Sequence, residues 1–351
     1  MAIRLLIITQ KVDRNDPILG FFHRWIEEFS KSCEKITVIC LGEGEYSLPG
    51  NIKVLSLGKE GGVSGFVYLF RFYKYIFEER KNYDVVFVHM NQEYVLLGGL
   101  PWQFMGKKIM MWRNHPGGGF LTDMAVFLSN KVFCTSNQSY TARFKKTQIM
   151  PVGIDTSFFT DKKGERIKNS LLILGRIAPV KKQELIIDAL KILREKGTSF
   201  TAHFIGDALP KDSDYYDMLQ KKASEASMSE SVSFKKSVSN METPDIYNKF
   251  EIFINATPSG SLDKTIFEAM ACGALPMTSN KSLIGVIDQR SIFEEDNAND
   301  LAEKIKELFI LNDEEKNIYR IKNRDFVVDD HSLKSLVEKV VLYCEENDLQ
   351  K

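Results

Sequence analysis

Along most of the chain, short runs rich in β-branched and other apolar residues alternate with longer amphipathic stretches, the rhythm of βαβ units on parallel sheets. The first series predicts strands over residues 3–9, 36–41, 85–89, 108–112 and 132–135, helices over 21–32, 66–79 and 120–129, and a further segment at 139–145. The alternation pauses at Pro151-Val-Gly-Ile-Asp155 and the polar stretch 161–169, which places a domain boundary there. A second series predicts strands over 171–174, 200–205, 232–235, 252–255 and 274–278, with helices over 182–195, 215–226 and 265–272. Three closing helices are expected at 301–311, 316–326 and 332–346. The fold class is therefore α/β, with two doubly wound domains facing a central cleft. In such sheets ligands bind beyond the carboxyl ends of the strands, so function belongs in those loops.

The 351 residues suffice for about two domains. Lysine plus arginine and aspartate plus glutamate both total 47, so no global charge bias points to nucleic acid as a partner. Five cysteines form no C-x-x-C pair and are odd in number, which fits reduced thiols in an intracellular protein better than disulfides or zinc. No cationic segment leads into a cleavable apolar one at the start, and no run of about 18 apolar residues follows. A soluble, cytoplasmic protein is expected.

Two segments carry chemistry. In the first, an apolar strand ends at Gly175, Arg176 stands at its carboxyl end, and Lys181 and Lys182 open the next helix. Cations at a helix start are locally unfavourable, so something anionic is expected opposite them. In the second, Ser259, Gly260 and Ser261 form a small-residue loop whose backbone N–H groups can approach an anion, with a helix N-terminus behind it. Glu268 is the lone charge between Ile266 and Leu275, and Gly273 is placed to cap that helix. A buried carboxylate needs a partner, and two suit it: a structural cation such as Arg176, or the hydroxyls of a ribose.

Gly175-Arg176 with Lys181, Pro151-Val-Gly-Ile-Asp155, Phe204-Ile-Gly-Asp207 and Phe267-Glu-Ala-Met-Ala-Cys-Gly273, in that set, resemble the motifs of the retaining GT-B glycosyltransferases of family four. The resemblance implies two Rossmann-like domains: residues 1–155 holding the acceptor, 156–326 holding a nucleoside-diphosphate sugar, and 327–351 crossing back to the first. It implies donor diphosphate on Arg176 and Lys181, with Gly175 and Gly206 in the donor site. Nucleotide ribose falls to Glu268, and neither metal nor cofactor is required, the nucleotide sugar being a substrate. It further implies same-face attack, with the leaving phosphate helping to deprotonate the acceptor.

The family usually carries a second glutamate eight positions before Glu268, and that position here is Gly260. Three readings stay open: amides of residues 260–262 replace the carboxylate, Asp263 reaches the sugar, or the protein binds without catalysing. Lys264, in the first helical turn, adds positive charge near the phosphates, and amides from Ser261 to Thr265 would add fixed dipoles. In the first domain, Gly20 resembles the glycine of the loop that approaches donor and acceptor. Trp112-Arg-Asn-His-Pro-Gly-Gly-Gly119 ends a strand in three polar groups and three glycines. His115 falls where the family often places a histidine beside the reacting sugar, orienting it, with Arg113 and Asn114 on the acceptor side. His89 also ends a strand and is a second candidate to line the cleft.

Asp212-Ser-Asp214 has the D-x-D spacing of metal sites but reads as helix capping. The aromatic stretch 66–77, with Arg71 and Lys74, reads first as a packed helix and alternatively as peripheral contact with the inner membrane face carrying a lipid-linked acceptor. The resulting expectation is a metal-independent, retaining glycosyltransferase of hexosyl type. It would transfer to a glycan or lipid-linked acceptor in cell-surface polysaccharide or glycolipid synthesis. The rivals are a non-catalytic sugar-nucleotide-binding protein and a GT-B-shaped nucleotide-sugar epimerase.

Overall fold

The structure, a computed structural model, describes residues 3–260 and 262–346. The chain divides into two compact units, one formed by residues up to Gly153 together with those from Leu333 onward, the other by Ile154–Ser332. The divisions thus fall at Gly153 and Ser332, against an expected 155 and 326.

In the first unit the order is β1 (Arg4–Val12), α1 (Gly20–Ser30), β2 (Lys35–Glu43), β3 (Ile52–Ser56), α2 (Gly65–Glu78), β4 (Val85–His89) and α3 (Gln92–Phe104), then β5 (Lys108–Trp112), α4 (Phe120–Leu128), β6 (Lys131–Cys134) and β7 (Thr147–Ile149). The seven strands are parallel in the order β3-β2-β1-β4-β5-β6-β7. Strand β4 is buried along its whole length, as expected where helices cover both faces. One face of the sheet packs Leu5, Ile7 and Phe87 against α1 through Phe22, Trp25 and Ile26. The other face packs Leu6, Ile8 and Val88 against α2, α3 and α4 through Phe72, Trp102 and Val126.

The second unit runs β8 (Ile167–Leu174), α5 (Gln183–Glu195), β9 (Thr201–Ile205), α6 (Ser213–Glu225), β10 (Val232–Lys235) and α7 (Thr243–Tyr247), followed by β11 (Phe250–Asn255), α8 (Lys264–Ala271), β12 (Leu275–Thr278), α9 (Ala298–Phe309) and α10 (Asp313–Asp330). Its five strands are parallel in the order β10-β9-β8-β11-β12. The closing helix α11 (Leu333–Glu345) belongs to the first unit, where Leu333, Leu336, Val337 and Val340 join the α1 side of its core.

Several elements depart from the sequence pattern. The segment expected at 139–145 is only a 3-10 turn, Tyr140–Arg143. Helix α3 contains Gly98, Gly99 and Pro101, residues that read as breakers. Here the glycines serve close approach: a Cβ on Gly98 would lie 2.5 Å from the Trp102 ring, and one on Gly99 would lie 3.0 Å from Leu128 of α4. The helix expected to end at 326 continues to Asp330, opened by a reciprocal cap between Asn312 and Glu315.

Candidate functional site

In the second unit the strand order reverses between β8 and β11, the position where open α/β sheets bind ligands. Both chemistry-bearing segments leave the sheet there. Gly175 follows β8 with φ +141°, and its N–H donates to the Ile205 carbonyl at 3.0 Å. Gly206, after β9, is packed so closely that a Cβ on it would sit 1.9 Å from the Gly175 carbonyl oxygen. The pair sets the course of the chain into Arg176. That side chain is exposed and, among the described residues, makes neither hydrogen bond nor ion pair; its carbonyl accepts from Gln183 Nε2 at 3.0 Å.

The anions opposite the two lysines are the protein's own. Lys181 lies in the 3-10 turn Pro179–Lys181, before α5 rather than inside it, and its Nζ meets Asp263 Oδ2 at 2.5 Å. Lys182, with φ +50°, pairs with Asp296. Asp263 is the N-cap of α8, accepting the Thr265 N–H at 3.2 Å and the Thr265 hydroxyl at 2.9 Å, and it also accepts from Asn255 Nδ2 at 3.0 Å. Burial pushes this carboxyl upward, but the Lys181 charge, with hydrogen bonds from Lys181, Asn255 and Thr265, outweighs it and holds the group well below the usual carboxylate range. Asp263 thus accepts hydrogen bonds from Lys181, Asn255 and Thr265 together. The Thr265 amide, counted among free dipoles in the sequence, is taken by this cap, and the Ile266 amide bonds the Asp263 carbonyl at 3.2 Å.

Between β11 and α8, Gly260 is buried with φ +147°, and Ser259 Oγ accepts the Lys281 N–H at 2.9 Å. Ser261 lies outside the described residues. Lys264 opens α8 and is partly buried. Nearby, the Thr257 hydroxyl is buried without a hydrogen-bond partner, a polar group that sequence spacing did not single out.

Glu268 is buried in α8, as the apolar run around it implies. One of its partners is Tyr247, whose hydroxyl donates to Oε2 at 3.2 Å. Burial, reinforced by the Glu268 charge, raises the Tyr247 phenol far above its ordinary value, so it stays a donor. Tyr247 sits on α7, an element the sequence pattern did not reveal. Gly273 follows α8 with φ +77°; its N–H bonds the Met270 carbonyl and that of Ala274 the Ala269 carbonyl, at 3.0 and 2.9 Å, which closes the helix as a Schellman cap.

In the first unit, Gly20 is the first residue of α1 and is buried. The loop before it is tied by Asp16, which accepts the Ile18 and Leu19 N–H groups at 2.9 and 2.8 Å and pairs with Lys11 at 2.9 Å. Beyond β5, His115 is exposed, with Nδ1 3.0 Å from the Gly117 nitrogen. Arg113 and Asn114, expected on the acceptor side, hold this loop together. Arg113 donates to the Gly117 carbonyl at 2.8 Å, and Asn114 Oδ1 accepts the Thr135 N–H at 2.8 Å. His89 does not line an opening: it is buried, stacked on Phe22 at 3.8 Å between ring centroids, 3.3 Å from the Thr9 hydroxyl.

Among the described residues no group of three His, Cys, Asp or Glu side chains is arranged to hold a metal. Asp212 occupies the N-cap position of α6, but its side chain makes no capping hydrogen bond; Ser213 Oγ instead donates to the Pro210 carbonyl at 3.0 Å.

Solved structures similar in fold include HepE (Alr3699) of Anabaena in complex with UDP and glucose, at TM-score 0.77 and 15% identity over 98% of this chain and 100% of that one. Sucrose-phosphate synthase of Thermosynechococcus elongatus aligns at TM-score 0.76 and 13% identity over 96% and 98% of the two chains. The lipopolysaccharide outer core galactosyltransferase WaaB aligns at TM-score 0.66 and 14% identity over 97% and 99%. No curated protein matches the chain by sequence. With its two parallel-sheet units, the fold is GT-B. Residues 157–345, more than half of the sequence, match the glycosyl transferases group 1 family, and the chain belongs to that family.

Proposed function

We propose that the protein is a retaining glycosyltransferase that moves a hexosyl group from a nucleoside-diphosphate sugar to a glycan or lipid-linked acceptor. The product would enter cell-surface polysaccharide or glycolipid, made in the cytoplasm, with no metal or cofactor and the nucleotide sugar as substrate. The observation that carries this reading is the Arg176 guanidinium, uncompensated among the described residues, at the switch point of the second sheet. Breaking the anomeric C–O bond leaves negative charge on the diphosphate, so stabilising the leaving group is the main task. Arg176 is the full charge available for it. Lys181 is already shared with Asp263, so it contributes as a positioned, partly neutralised cation. Glu268, anchored by Tyr247 through one oxygen, suits a ribose diol. The Asp263 carboxylate is committed to Lys181, Asn255 and Thr265, which favours loop amides beside Gly260 over Asp263 in place of the missing glutamate. The part of the sugar-orienting group falls to His115 on the family resemblance.

HepE of Anabaena is known with UDP and glucose, which puts UDP-glucose first among donors to assay. Labelled donor incubated with cell-envelope acceptors should give a labelled glycan or glycolipid with retained anomeric configuration. Gly260 motivates the rival of a sugar-nucleotide-binding protein without catalysis. Tight donor binding with neither transfer nor slow hydrolysis would establish that rival, and an epimer in the donor pool without acceptor, read by NMR, would establish an epimerase.

A further inference from the structure

A cavity of about 680 Å³ opens in the first unit, at the sheet edge where β2 and β3 end. That size falls within the range of about 300–1,000 Å³ typical of small-molecule sites. Glu43 closes β2 and Ser56 closes β3, and both line the cavity together with α2 and the 3-10 turn Lys59–Gly61. The chain enters and leaves that turn through Gly58 and Gly62, whose φ angles of +99° and +67° allow the tight path. Glu60 fastens the turn to the strands: its carboxylate accepts the Glu43 N–H at 3.1 Å and the Ser56 hydroxyl at 2.8 Å. Arg71 of α2 donates to the Leu57 carbonyl at 3.0 Å, which fixes the helix beside the same strand end. Two of the charged groups at the cavity are thereby held in place.

Charge decides what fits. Two carboxylates, Glu43 and Glu60, and two cations, Arg71 and Lys74, line the cavity, so its formal charge is zero. A nucleotide, free phosphate or anionic headgroup would meet the carboxylates, and a cation would meet Arg71 and Lys74. A neutral ligand rich in hydroxyls suits both sets, the carboxylates accepting from O–H and the cations donating to it in charge-assisted bonds. Lys74 is only loosely held, 3.9 Å from Glu78, and the Tyr75 hydroxyl has no hydrogen-bond partner among the described residues. Three rings complete the lining: Tyr46, Phe70 and Tyr75. None stacks on another aromatic ring among the described residues, and Phe70 is 71% exposed. A pyranose offers a face of C–H groups, slightly positive, that packs on the negative face of such a ring while its hydroxyls reach the polar groups. The cavity stands apart from the loop beyond β5. In the order β3-β2-β1-β4-β5 the outer two strands are four places apart, about 19 Å at roughly 4.8 Å per strand. A sugar held there is not one beside His115.

We propose that this cavity binds pyranose units of a neutral glycan, as a second carbohydrate site distinct from the one where a sugar would be transferred. The inference goes beyond the transferase reading and needs neither donor nor turnover, so its failure leaves that reading standing. The test is binding of the fluorescently labelled full chain to a printed array of neutral, N-acetylated and sulfated oligosaccharides, followed by calorimetric titration of the neutral member bound best. Combining Y46A with F70A should weaken that binding about tenfold or more, two ring faces being removed. E43Q should weaken it roughly tenfold, a charged acceptor becoming a neutral one. H115A should bind as wild type does. Tyr46 and Phe70 are exposed, so the fold should survive their loss, checked by circular dichroism, and E43Q keeps the shape of the side chain and serves as an independent second variant. No neutral oligosaccharide bound, binding confined to sulfated members, binding unchanged in the ring pair or in E43Q, or a loss in H115A equal to that in the pair would each overturn the inference.

Discussion

Replacing Asp263 by Asn isolates the ion pair with Lys181. Asn keeps the shape and is itself a good N-cap, so the bond to the Thr265 N–H at 3.2 Å survives in kind and the change is one of charge. The Lys181 and Asp263 side chains are 28% and 17% exposed, between the surface regime, where pairs contribute about 0.2–1 kcal/mol, and the buried one, where breaking a pair costs about 3–5 kcal/mol. A loss of about 1–2 kcal/mol follows, or about 2–8 °C in the melting temperature of a unit of roughly 150–250 residues. The pH dependence carries its own signature. The folded carboxyl lies below its ordinary value of about 3.9, so the contribution is complete above that value and disappears as pH falls towards the folded one. Scanning calorimetry from pH 7 to pH 3 should show wild type above D263N by a constant gap down to about pH 4, then a narrowing one. Equal stability at pH 7, or a gap that widens in acid, would refute the assignment. Transfer activity separates the roles further: a hundredfold loss in kcat with donor affinity intact would mean that Asp263 contacts the sugar after all.

Three further substitutions probe the rest of the site. R176A should lower turnover on the order of a hundredfold or more in the transfer assay, while its melting temperature stays within the change expected for about 0.5 kcal/mol, because the side chain is exposed and unpaired among the described residues. Y247F removes a donor from buried Glu268 and should cost about 1–2 kcal/mol in denaturant unfolding. In calorimetric titration it should also raise the dissociation constant of a nucleoside diphosphate roughly severalfold, as the carboxylate loses its anchor. G273A forces alanine to φ +77° with a Cβ 2.6 Å from Asp161 Oδ2, and should destabilise by about 1–3 kcal/mol.

The parallel strands were legible because strands covered on both faces read as uninterrupted apolar runs; β4 and β5 match the predicted spans residue for residue. Strand β3, partly exposed along the sheet edge, and the three-residue β7 lack that run. Helix α3 was hidden by glycines whose purpose, contact with Trp102 and Leu128, exists only in three dimensions. The candidate site divides in the same way. Local spacing exposed Arg176, Lys181 and Glu268, because strand ends and a capped apolar helix are short-range signals. Their partners are long-range: Asp263 lies 82 positions from Lys181, and Tyr247 lies 21 from Glu268. A cap reading of Asp263 was available from its place before Lys264-Thr265, and it would have reserved that carboxylate for the helix rather than the sugar.

The account depends most on where the nucleotide's phosphates go. Calorimetric titration of uridine, guanosine and adenosine diphosphates, each against wild type and R176A, addresses that directly. At least one nucleotide should bind wild type and lose roughly tenfold or more in affinity to R176A, with the loss shrinking as salt rises. Binding that is indifferent to Arg176, or no binding of any of the three, would contradict it.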